Sequence, residues 1–478
     1  IKLSLNLLAR PINLKFGPCG MPGLGYLPWM RTGAPHLWYK ELSVKYGDLT
    51  SIRLGSTLVV CVGSSALLKD LFNRRSSTGR PQTPLNQLMN GLGVITSEGD
   101  LWSEQRHFIL QCFRWMGINT WNDYRFENYI LLEVMDLVIS LKDSAGELLN
   151  PVDHIGRHMH NVICQLMMSF RFTENNAEFI HFSESLSESF RLYGLIHYGE
   201  YVPWYMYLPG KRSVLKQIKR NLEEVTEFHR RHIEARRLKR RRTENQEPSD
   251  LLDFYLDMKS VMGGHYREEQ LVQVMNDLFS AGMETARTTL MWLLVMMVRE
   301  PEVAANVRRC IGEVVPFGEE VRLCHRPQLA YVEAVILETL RRTYVVPLGT
   351  THVNTETWNV RGYKIPAGSH IVPLINKINM DPNEFPEPER FMPERYLQNG
   401  QIKVPDNFIG LGVGRRLCLG EKLAKMELYL FFSNIMHNFN LSIPPGEPIP
   451  SLDDGILGTT HAPQPFKIVF SIRDPPDY

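Results

Sequence analysis

The sequence predicts a mainly α-helical protein with a small β region, and three features of its 478 residues support this. From Leu101 to about Glu300, long amphipathic stretches contain few prolines, which is the pattern of packed helices. β-branched residues flank a Gly-Ser turn between Leu49 and Gly63, which predicts a hairpin. Beyond Pro347 the sequence returns to β-type and irregular stretches.

Prolines divide the helical half of the chain at Pro151, Pro203, Pro209 and Pro248. Before it, residues 17–27 are too rich in Gly and Pro for a helix or strand and form a rigid lead-in. The charged segment 235–250 predicts an exposed helix end that runs into a flexible loop. We find no internal repeat, so we expect a lead-in over residues 1–30 and one mixed domain over residues 31–478.

The composition excludes several classes of protein. With 44% hydrophobic and 22% charged residues, the chain is neither disordered, collagen-like nor a coiled coil. Its 53 basic and 52 acidic side chains give a net charge of +1, which provides no general field to attract nucleic acid. An electrostatic partner must therefore bind a local patch.

Cysteine spacing and hydropathy bear on three features: zinc clusters, disulfide bonds and membrane spans. The seven cysteines form no CxxC pair, which argues against a zinc cluster and against a secreted disulfide framework. The longest apolar run, Leu290–Val298, is shorter than the roughly 20 residues that span a bilayer. The apolar stretch at residues 1–10 begins without Met, so we expect it to be the remnant of a removed membrane anchor.

The segment with the most candidate functional residues runs from Pro405 to Phe432. Three glycines force a loop there, namely Gly410, Gly412 and Gly414. Cys418 follows, and Gly420 precedes a strongly amphipathic helix that we expect to begin near Glu421. A thiol at a helix N-terminus meets the positive end of the helix dipole, and Arg416 adds charge, so the position favours thiolate. Such a cysteine is a candidate metal ligand or nucleophile.

Four residues of this segment form the pattern G-x-R-x-C-x-G: Gly414, Arg416, Cys418 and Gly420. The pattern resembles the haem-binding loop of the cytochrome P450 family, in which a cysteine thiolate is the axial ligand of iron. The resemblance implies the cytochrome P450 fold, with haem b held between a long central helix and this loop. It makes Cys418 the iron ligand and the other three residues part of the cofactor site.

A second motif of the family is matched by AGMET, residues 281–285. Gly282 and Thr285 share a helical face, so we expect the helix to approach a planar ligand there. The resemblance makes Glu284 and Thr285 the acid and the alcohol that deliver protons during oxygen activation. Without the other motifs, a threonine in the middle of a helix would more often be a packing residue.

A third motif, E-x-x-R, lies at Glu338 and Arg341. The same spacing occurs in ordinary surface ion pairs, which contribute only a few tenths of a kcal/mol. The resemblance instead implies a buried pair, completed by Arg395 from the proline-rich segment that follows. The three charges then have a structural role in holding the loop around Cys418.

A fourth motif, W-x-x-x-R, lies at Trp102 and Arg106. Helical spacing puts the indole N–H and the guanidinium on one face, which suits a carboxylate such as a haem propionate. The resemblance adds His352 and Arg416 as further propionate contacts. Taken alone, His352 would be an ordinary surface histidine.

Some residues depart from the family pattern. Leu411 stands where relatives carry Phe against the thiolate, and Gly410 stands where they often carry Pro. We expect altered redox tuning around the sulfur without loss of the ligand. Ala286 replaces a common Thr or Ser after the alcohol, and residues 15–18 lack the usual double proline.

The resemblance implies insertion of one oxygen atom into a C–H or C=C bond of an apolar molecule. The chain carries no nucleotide-binding fingerprint, so electrons must come from another protein. The resemblance implies that this protein is an NADPH-dependent flavoprotein reductase, with cytochrome b5 as a further partner. A basic docking face is expected at Arg106, Arg114, Lys403, Arg415, Lys422 and Lys425. The implied location is the cytosolic face of the endoplasmic reticulum membrane.

Four segments are expected to line the substrate pocket beside the central helix: residues 83–96, 190–207, 346–349 and 458–460. The loop and last helix resemble the microsomal branch, and GRRLCLG with SEGDLW resembles its arthropod ecdysteroid hydroxylases. A steroid substrate and a xenobiotic both remain open. Glu284 and Thr285 disfavour a peroxide isomerase. A non-catalytic haem binder is disfavoured because it needs neither the helix groove nor a reductase docking face.

Overall fold

The computed structural model of the chain describes residues 17–31, 34–118, 125–173, 176–242, 247–262 and 264–474. The expected anchor remnant and the first half of the lead-in lie outside these residues, as does the 243–246 part of the charged segment. Within the described part, no helix is long and apolar enough to cross a bilayer. The division into lead-in and catalytic domain stays a prediction.

The predicted helical character is confirmed, and helices occupy most of the chain between Gly99 and Val314. In chain order the α-helices are α1 (Pro35–Tyr46), α2 (Ser65–Asn73), α3 (Pro84–Leu88), α4 (Gly99–Trp115), α5 (Arg125–Asp143), α6 (Pro151–Met168), α7 (Ala177–Ile196), α8 (Lys211–Arg242), α9 (Leu251–Met262), α10 (Glu268–Arg299), α11 (Pro301–Val314), α12 (Ala330–Thr343), α13 (Ile375–Asn379) and α14 (Glu421–Asn438). Proline starts several of them, because a first-turn N–H has no helical partner to lose.

The strands are short, as expected for a small β region. They are β1 (Leu49–Leu54), β2 (Thr57–Val62), β3 (Leu148–Leu149), β4 (His352–Val353), β5 (Trp358–Val360), β6 (Tyr363–Ile365), β7 (His370–Pro373), β8 (Leu397–Gln398), β9 (Gln401–Ile402), β10 (Phe439–Ser442), β11 (Ile456–Leu457), β12 (His461–Ala462) and β13 (Ile468–Ile472). The predicted hairpin is β1 and β2, and it belongs to a four-stranded sheet in the order β1-β2-β7-β4. A three-stranded sheet has the order β10-β13-β3.

Helix α10 is the central helix, and it is buried along most of its 32 residues. It packs against α6, α8, α12 and α14. The apolar run Leu290–Val298 lies on this helix, inside the main hydrophobic core. A helix that is apolar all round is typically buried in a core, which explains this run without a membrane.

Helix α14 begins at Glu421, as predicted, but it is not amphipathic. Every side chain from Met426 to His437 is buried, because the helix packs between α5, α10 and α11. The N-terminus of α14 is therefore fixed from several sides, and it carries the loop with Cys418.

The charged segment differs from its prediction in one respect. Helix α8 does run to Arg242, so the helix end is present. However, the Arg236 guanidinium lies 2.7 Å from the Asp250 carboxylate and 2.8 Å from that of Asp253. This part of the segment ties α8 to the start of α9 and is not a solvated run.

Candidate functional site

The Cys418 side chain is exposed, although it lies at the start of the buried helix α14. Its backbone N–H donates to the Leu411 carbonyl at 3.1 Å, which closes the glycine loop. Desolvation by the surrounding protein raises the pKa of the thiol, while a hydrogen bond from the Gly420 backbone and the charge of Arg106 act to lower it. In the free thiol, burial therefore outweighs the hydrogen bond and the nearby positive charge, whereas a bound metal ion would deprotonate it.

The loop before Cys418 lies against helix α2. Gly414 has φ +78°, and a Cβ there would lie 2.3 Å from the carbonyl oxygen of Phe72. Only glycine permits both this backbone conformation and this approach. On its other side, the Phe72 ring stacks on His352 with centroids 3.9 Å apart.

Arg416 points inward from the loop. Its Nε donates to the Thr78 carbonyl at 2.9 Å, and its Nη1 donates to the Ile95 carbonyl at 3.2 Å. The guanidinium also lies over the Trp102 ring, 4.4 Å from the centroid. From α4, Arg106 Nη2 donates to the Leu417 carbonyl at 2.7 Å. The residues of the W-x-x-x-R motif therefore flank the loop.

A further arginine, Arg80, completes this group and was missed by the sequence analysis. It is 7% exposed, and its Nε donates to the Ile95 carbonyl at 2.9 Å. Burial, together with the charge of Arg106, lowers the pKa of Arg80 to about 10. Burial, together with the charges of Arg80 and Arg106, lowers the pKa of Arg416 to about 8. No motif marks Arg80, because only the folded chain brings it to the loop.

We call Arg80, Arg106 and Arg416 the cationic cluster. Glu98 is the acidic neighbour that raises the pKa of both Arg80 and Arg416. One carboxylate beside three guanidiniums leaves an excess of buried positive charge, which is costly unless an anion pairs with it. The cluster therefore fits a ligand that carries carboxylates.

His352 lies in the same region. It is 3% exposed, and its Nδ1 lies 2.8 Å from the Ser77 carbonyl oxygen. Burial, with the charges of Arg80 and Arg416, lowers the pKa of His352 well below its ordinary value, so the imidazole is neutral. The Nδ1–H therefore donates to Ser77.

One face of α10, near the middle of the helix, borders an open space. Ala281 is exposed although its helix is otherwise buried, and Thr285 lies four residues on, on the same face. The Thr285 hydroxyl donates to the Ala281 carbonyl at 2.6 Å. A flat ligand above this face would meet the Ala281 methyl group and the Thr285 side chain.

Gly282 does not face that space, which corrects the expectation from the motif. A Cβ on Gly282 would lie 2.7 Å from Cδ1 of Ile163. Gly282 thus lets α10 approach α6, and Ala281 takes the place that was expected for the glycine. The difference is one of helical phase, since neighbouring residues point about 100° apart.

Glu284 is held by its own helix. Its carboxylate lies 2.5 Å from the Arg287 guanidinium and accepts from the Thr288 hydroxyl at 3.3 Å. A small cavity of about 10 Å³ lies beside it, close to the minimum that holds a water molecule. Ser280, Ser183 and His160 also line this cavity. The structure places Glu284 beside this cavity, on a different helical phase from Thr285.

The E-x-x-R motif forms a buried ion-pair triad. Arg341 binds both Glu338 oxygens, at 2.7 and 2.8 Å, and both residues are 0% exposed. Arg395 Nε donates to Glu338 at 3.0 Å. Arg341 also donates to the Pro388 carbonyl at 2.9 Å, so the triad holds the proline-rich segment against α12.

Gly410 connects this triad to the loop. A Cβ there would lie 2.6 Å from Cζ of Phe408 and 3.3 Å from Cβ of Leu340 on α12. The Phe408 ring meets Tyr396 edge-on at 5.7 Å. The missing proline at Gly410 is thus replaced by an aromatic that fills the same region, and Leu411 packs partly buried against the main core.

A large cavity of about 430 Å³ lies beside α10, within the usual range of about 300–1,000 Å³ for small-molecule sites. Each of the four expected segments contributes to its wall, together with Gln273 to Ser280 of α10. Helix α8 also contributes, through Ile218, Asn221, Leu222 and Val225, which the sequence analysis did not anticipate. Arg80 and Ser280 are in the wall, whereas Cys418 and Thr285 are not.

Comparison with known proteins agrees with this geometry. The family model described as Cytochrome P450 matches residues 16–470. The chain belongs to the cytochrome P450 family. Cytochrome P450 18a1 of Drosophila melanogaster is 39% identical over 470 residues, which is 96% of this chain and 86% of the relative. Cytochrome P450 2J5 of Mus musculus is 31% identical over 447 residues, covering 92% of this chain and 87% of the relative.

Family membership makes the protein a haem-thiolate monooxygenase that receives electrons from a redox partner. The described residues fit haem at two points. The exposed thiol of Cys418 lies in the loop that the cationic cluster surrounds, and that cluster suits the two propionates of haem. One loop and its neighbours therefore carry residues that fit an axial ligand and counter-ions for this cofactor.

Proposed function

We propose that this cytochrome P450 hydroxylates a lipophilic steroid of the ecdysteroid type. The observation that carries the chemistry is the accessible Cys418 thiol beside the cationic cluster. The size of the 430 Å³ cavity and the arthropod-type motifs support a steroid. The identity of 39% to an insect relative, against 31% to a mouse one, favours it over a xenobiotic.

We propose the following roles for residues at the cofactor. Cys418 ligates the iron, and the Gly420 backbone N–H stabilises its thiolate. Arg416 and Arg106 pair with the propionates, with Trp102 and His352 fixing the surroundings of these arginines. When bound, haem with an axial thiolate supplies the oxygen activation of the reaction.

Protons reach the site along α10 in this proposal. Thr285 sits on the open face of the helix, where its hydroxyl holds a water molecule. Glu284 lies beside the small cavity and transfers protons from it once its pair with Arg287 loosens. General acid-base transfer of this kind needs only hydrogen-bond distances through one water.

Electrons are proposed to come from NADPH through a flavoprotein reductase, with cytochrome b5 as a further partner. Arg114, Lys403, Arg415 and Lys422 are exposed and suit a docking face. The other two residues predicted for this face do not suit it. Arg106 is directed at the Leu417 carbonyl, and Lys425 is paired with Glu421 at 2.7 Å.

A second surface is proposed to rest on the cytosolic side of the endoplasmic reticulum membrane. Trp204 is 61% exposed and Tyr207 is 70% exposed, on the turn Pro203–Tyr207. Leu195 and Leu208 are exposed nearby along the chain. Aromatic side chains with an apolar body and a polar tip suit a membrane interface.

Replacement of the ligand tests the cofactor assignment. In Cys418→His, a neutral imidazole cannot supply thiolate donation, so the strongly red-shifted Soret band of the ferrous carbon monoxide complex should be lost, together with oxygenation. The measurement is the carbon monoxide difference spectrum of purified protein at matched haem content. Retained oxygenation in this variant would contradict Cys418 as the ligand.

Replacement of the alcohol tests the proton route. In Thr285→Ala the haem spectrum and substrate affinity should be unchanged, while product formed per NADPH consumed falls and peroxide release rises. Product formed, NADPH consumed and peroxide released are measured in a system reconstituted with the reductase. A reaction that proceeds without NADPH and is unaffected by the change would instead favour a peroxide isomerase.

A further inference from the structure

A cluster of polar side chains lines one part of the large cavity. Glu200 ends the 3-10 turn His197–Glu200, and Tyr201 follows it. Tyr39 of α1 lies opposite, with its hydroxyl 3.3 Å from the Tyr201 hydroxyl. All three side chains are in the cavity wall. We call them the Glu200 cluster.

The Glu200 carboxyl has spare hydrogen-bonding capacity. Across the described ranges, no side chain or backbone group forms a hydrogen bond or ion pair with it. Burial raises its pKa to about 7, and its electrostatic effect on both tyrosines places them close by. A carboxyl that borders a cavity and lacks a protein partner is available to a ligand.

A second acid in the cavity wall behaves differently. The Asp277 carboxylate accepts from the backbone N–H groups of Val94 at 2.7 Å and Ile95 at 2.8 Å. It also accepts from the Gln273 amide at 2.8 Å. Asp277 therefore uses its oxygens to hold the loop before α4 on the central helix. Of these two acids, Glu200 is the one left free for a ligand.

Apolar side chains share the cavity wall with the Glu200 cluster, among them Met30, Pro35, Leu348 and Val372. In an apolar pocket, a few fixed polar groups decide orientation and specificity, because a ligand that leaves them unpaired loses much of its affinity. A purely hydrocarbon ligand would leave the Glu200 carboxyl without a partner.

We propose that the Glu200 cluster is a polar subsite that binds a hydroxyl group of the substrate. It selects steroids that already carry a hydroxyl, and it orients them relative to α10. The inference rests on the proposed function, since it specifies the substrate class of the same cavity. The carboxyl accepts the ligand hydroxyl, and Tyr39 or Tyr201 donates to it.

The test uses the haem-loaded enzyme and two pairs of steroids that differ by one hydroxyl. The pairs are 5α-androstan-3β-ol with 5α-androstane, and ecdysone with 25-deoxyecdysone. Binding is followed by the change in the haem Soret band on titration. In the wild type, at least one hydroxylated steroid should bind about 10-fold more tightly than its partner, as one buried hydrogen bond supports.

In Glu200→Leu, the ratio of the two dissociation constants within a steroid pair should fall to about 1. Glu200→Gln keeps both an acceptor and a donor and should retain most of this ratio. Glu223→Leu removes a carboxyl from the exposed face of α8 and should leave the ratio unchanged. If Glu200→Leu fails to load haem, Tyr201→Phe replaces it and should lower the ratio by a smaller factor.

A wild-type enzyme that binds both members of each pair equally, or binds none of the four, overturns the inference. So does a Glu200→Leu variant that keeps the wild-type ratio. These failures are distinguishable from failure of the monooxygenase chemistry, because the carbon monoxide spectrum reports thiolate ligation by Cys418 and the NADPH coupling is measured on the unchanged wild type.

Discussion

At the residue scale, the site depends on positions where a side chain is absent as much as on those where one is present. Gly414 approaches the Phe72 carbonyl, and Gly282 approaches Ile163. Each lets an element come closer than any Cβ would allow. The positive φ of +78° at Gly414 adds a second reason, because L-residues disfavour this region by roughly 1–2 kcal/mol.

Two glycine substitutions should therefore have opposite effects. Gly414→Ala should destabilise the fold by more than about 2 kcal/mol and lower haem content, because strain and a backbone clash add. Gly312→Ala, on α11 with no atom within 4 Å of the new methyl, should be neutral or stabilise by about 0.5–1 kcal/mol. Urea unfolding with parallel haem absorbance measures both. Equal stabilities of the two variants would contradict the close approach at Gly414.

At the element scale, the cofactor loop is supported by α12 and the proline-rich segment. Glu338 is buried and also accepts from the Met392 backbone N–H at 2.9 Å, in addition to its two arginines. Arg341 donates to the Asn379 carbonyl at 2.7 Å on the far side. The carboxylate thus joins α12 to the proline-rich segment, and Arg341, which it holds, also binds the end of α13, so its loss affects all three elements.

Glu338→Ala should abolish normal haem incorporation and lower the free energy of unfolding by roughly 3–5 kcal/mol, because it leaves Arg341 as a buried cation without a carboxylate. The measurements are soluble yield, haem-to-protein ratio and urea midpoint. Glu313→Ala is a matched control, since it breaks a Glu-Arg helix pair in which both side chains are 60% exposed. That control should behave like the wild type. Normal holoprotein from Glu338→Ala would show that the triad does not support the loop.

At the scale of the whole molecule, buried histidines link stability to pH. His229 is 0% exposed on α8, with Nδ1 2.6 Å from Asn276 Oδ1 on the central helix. Burial, with a smaller effect from the charge of His232, lowers the pKa of His229 to about 3, although the hydrogen bond to Asn276 acts to raise it. In the unfolded chain the imidazole returns to its ordinary pKa of 6.5. The contribution of His229 to the free energy of unfolding is thus fully present above pH 6.5 and is lost as pH falls towards 3.

His229→Gln should flatten the acid side of the stability profile. Glutamine keeps a donor for Asn276 but does not titrate. Below pH 6.5, the free energy of unfolding of the variant should therefore fall less steeply than that of the wild type, by about 1.4 kcal/mol per pH unit. Urea unfolding at pH 5, 6 and 8 gives the slopes. His181→Gln, at a side chain that is 66% exposed, should retain the wild-type slope. A slope in His229→Gln equal to that of the wild type would show that folding does not lower the pKa of His229.

The sequence by itself determined the helical class, the β1–β2 hairpin, the start of α14 and the family. These are local properties, because periodicity, turn residues and motif spacing act within one segment. Tertiary structure decided what depends on the phase and meeting of distant segments. It brought Arg80 to Arg416, turned Gly282 towards Ile163, and left the Glu200 carboxyl bordering the cavity. Such contacts depend on how helices pack against each other, which the pattern of one segment does not contain.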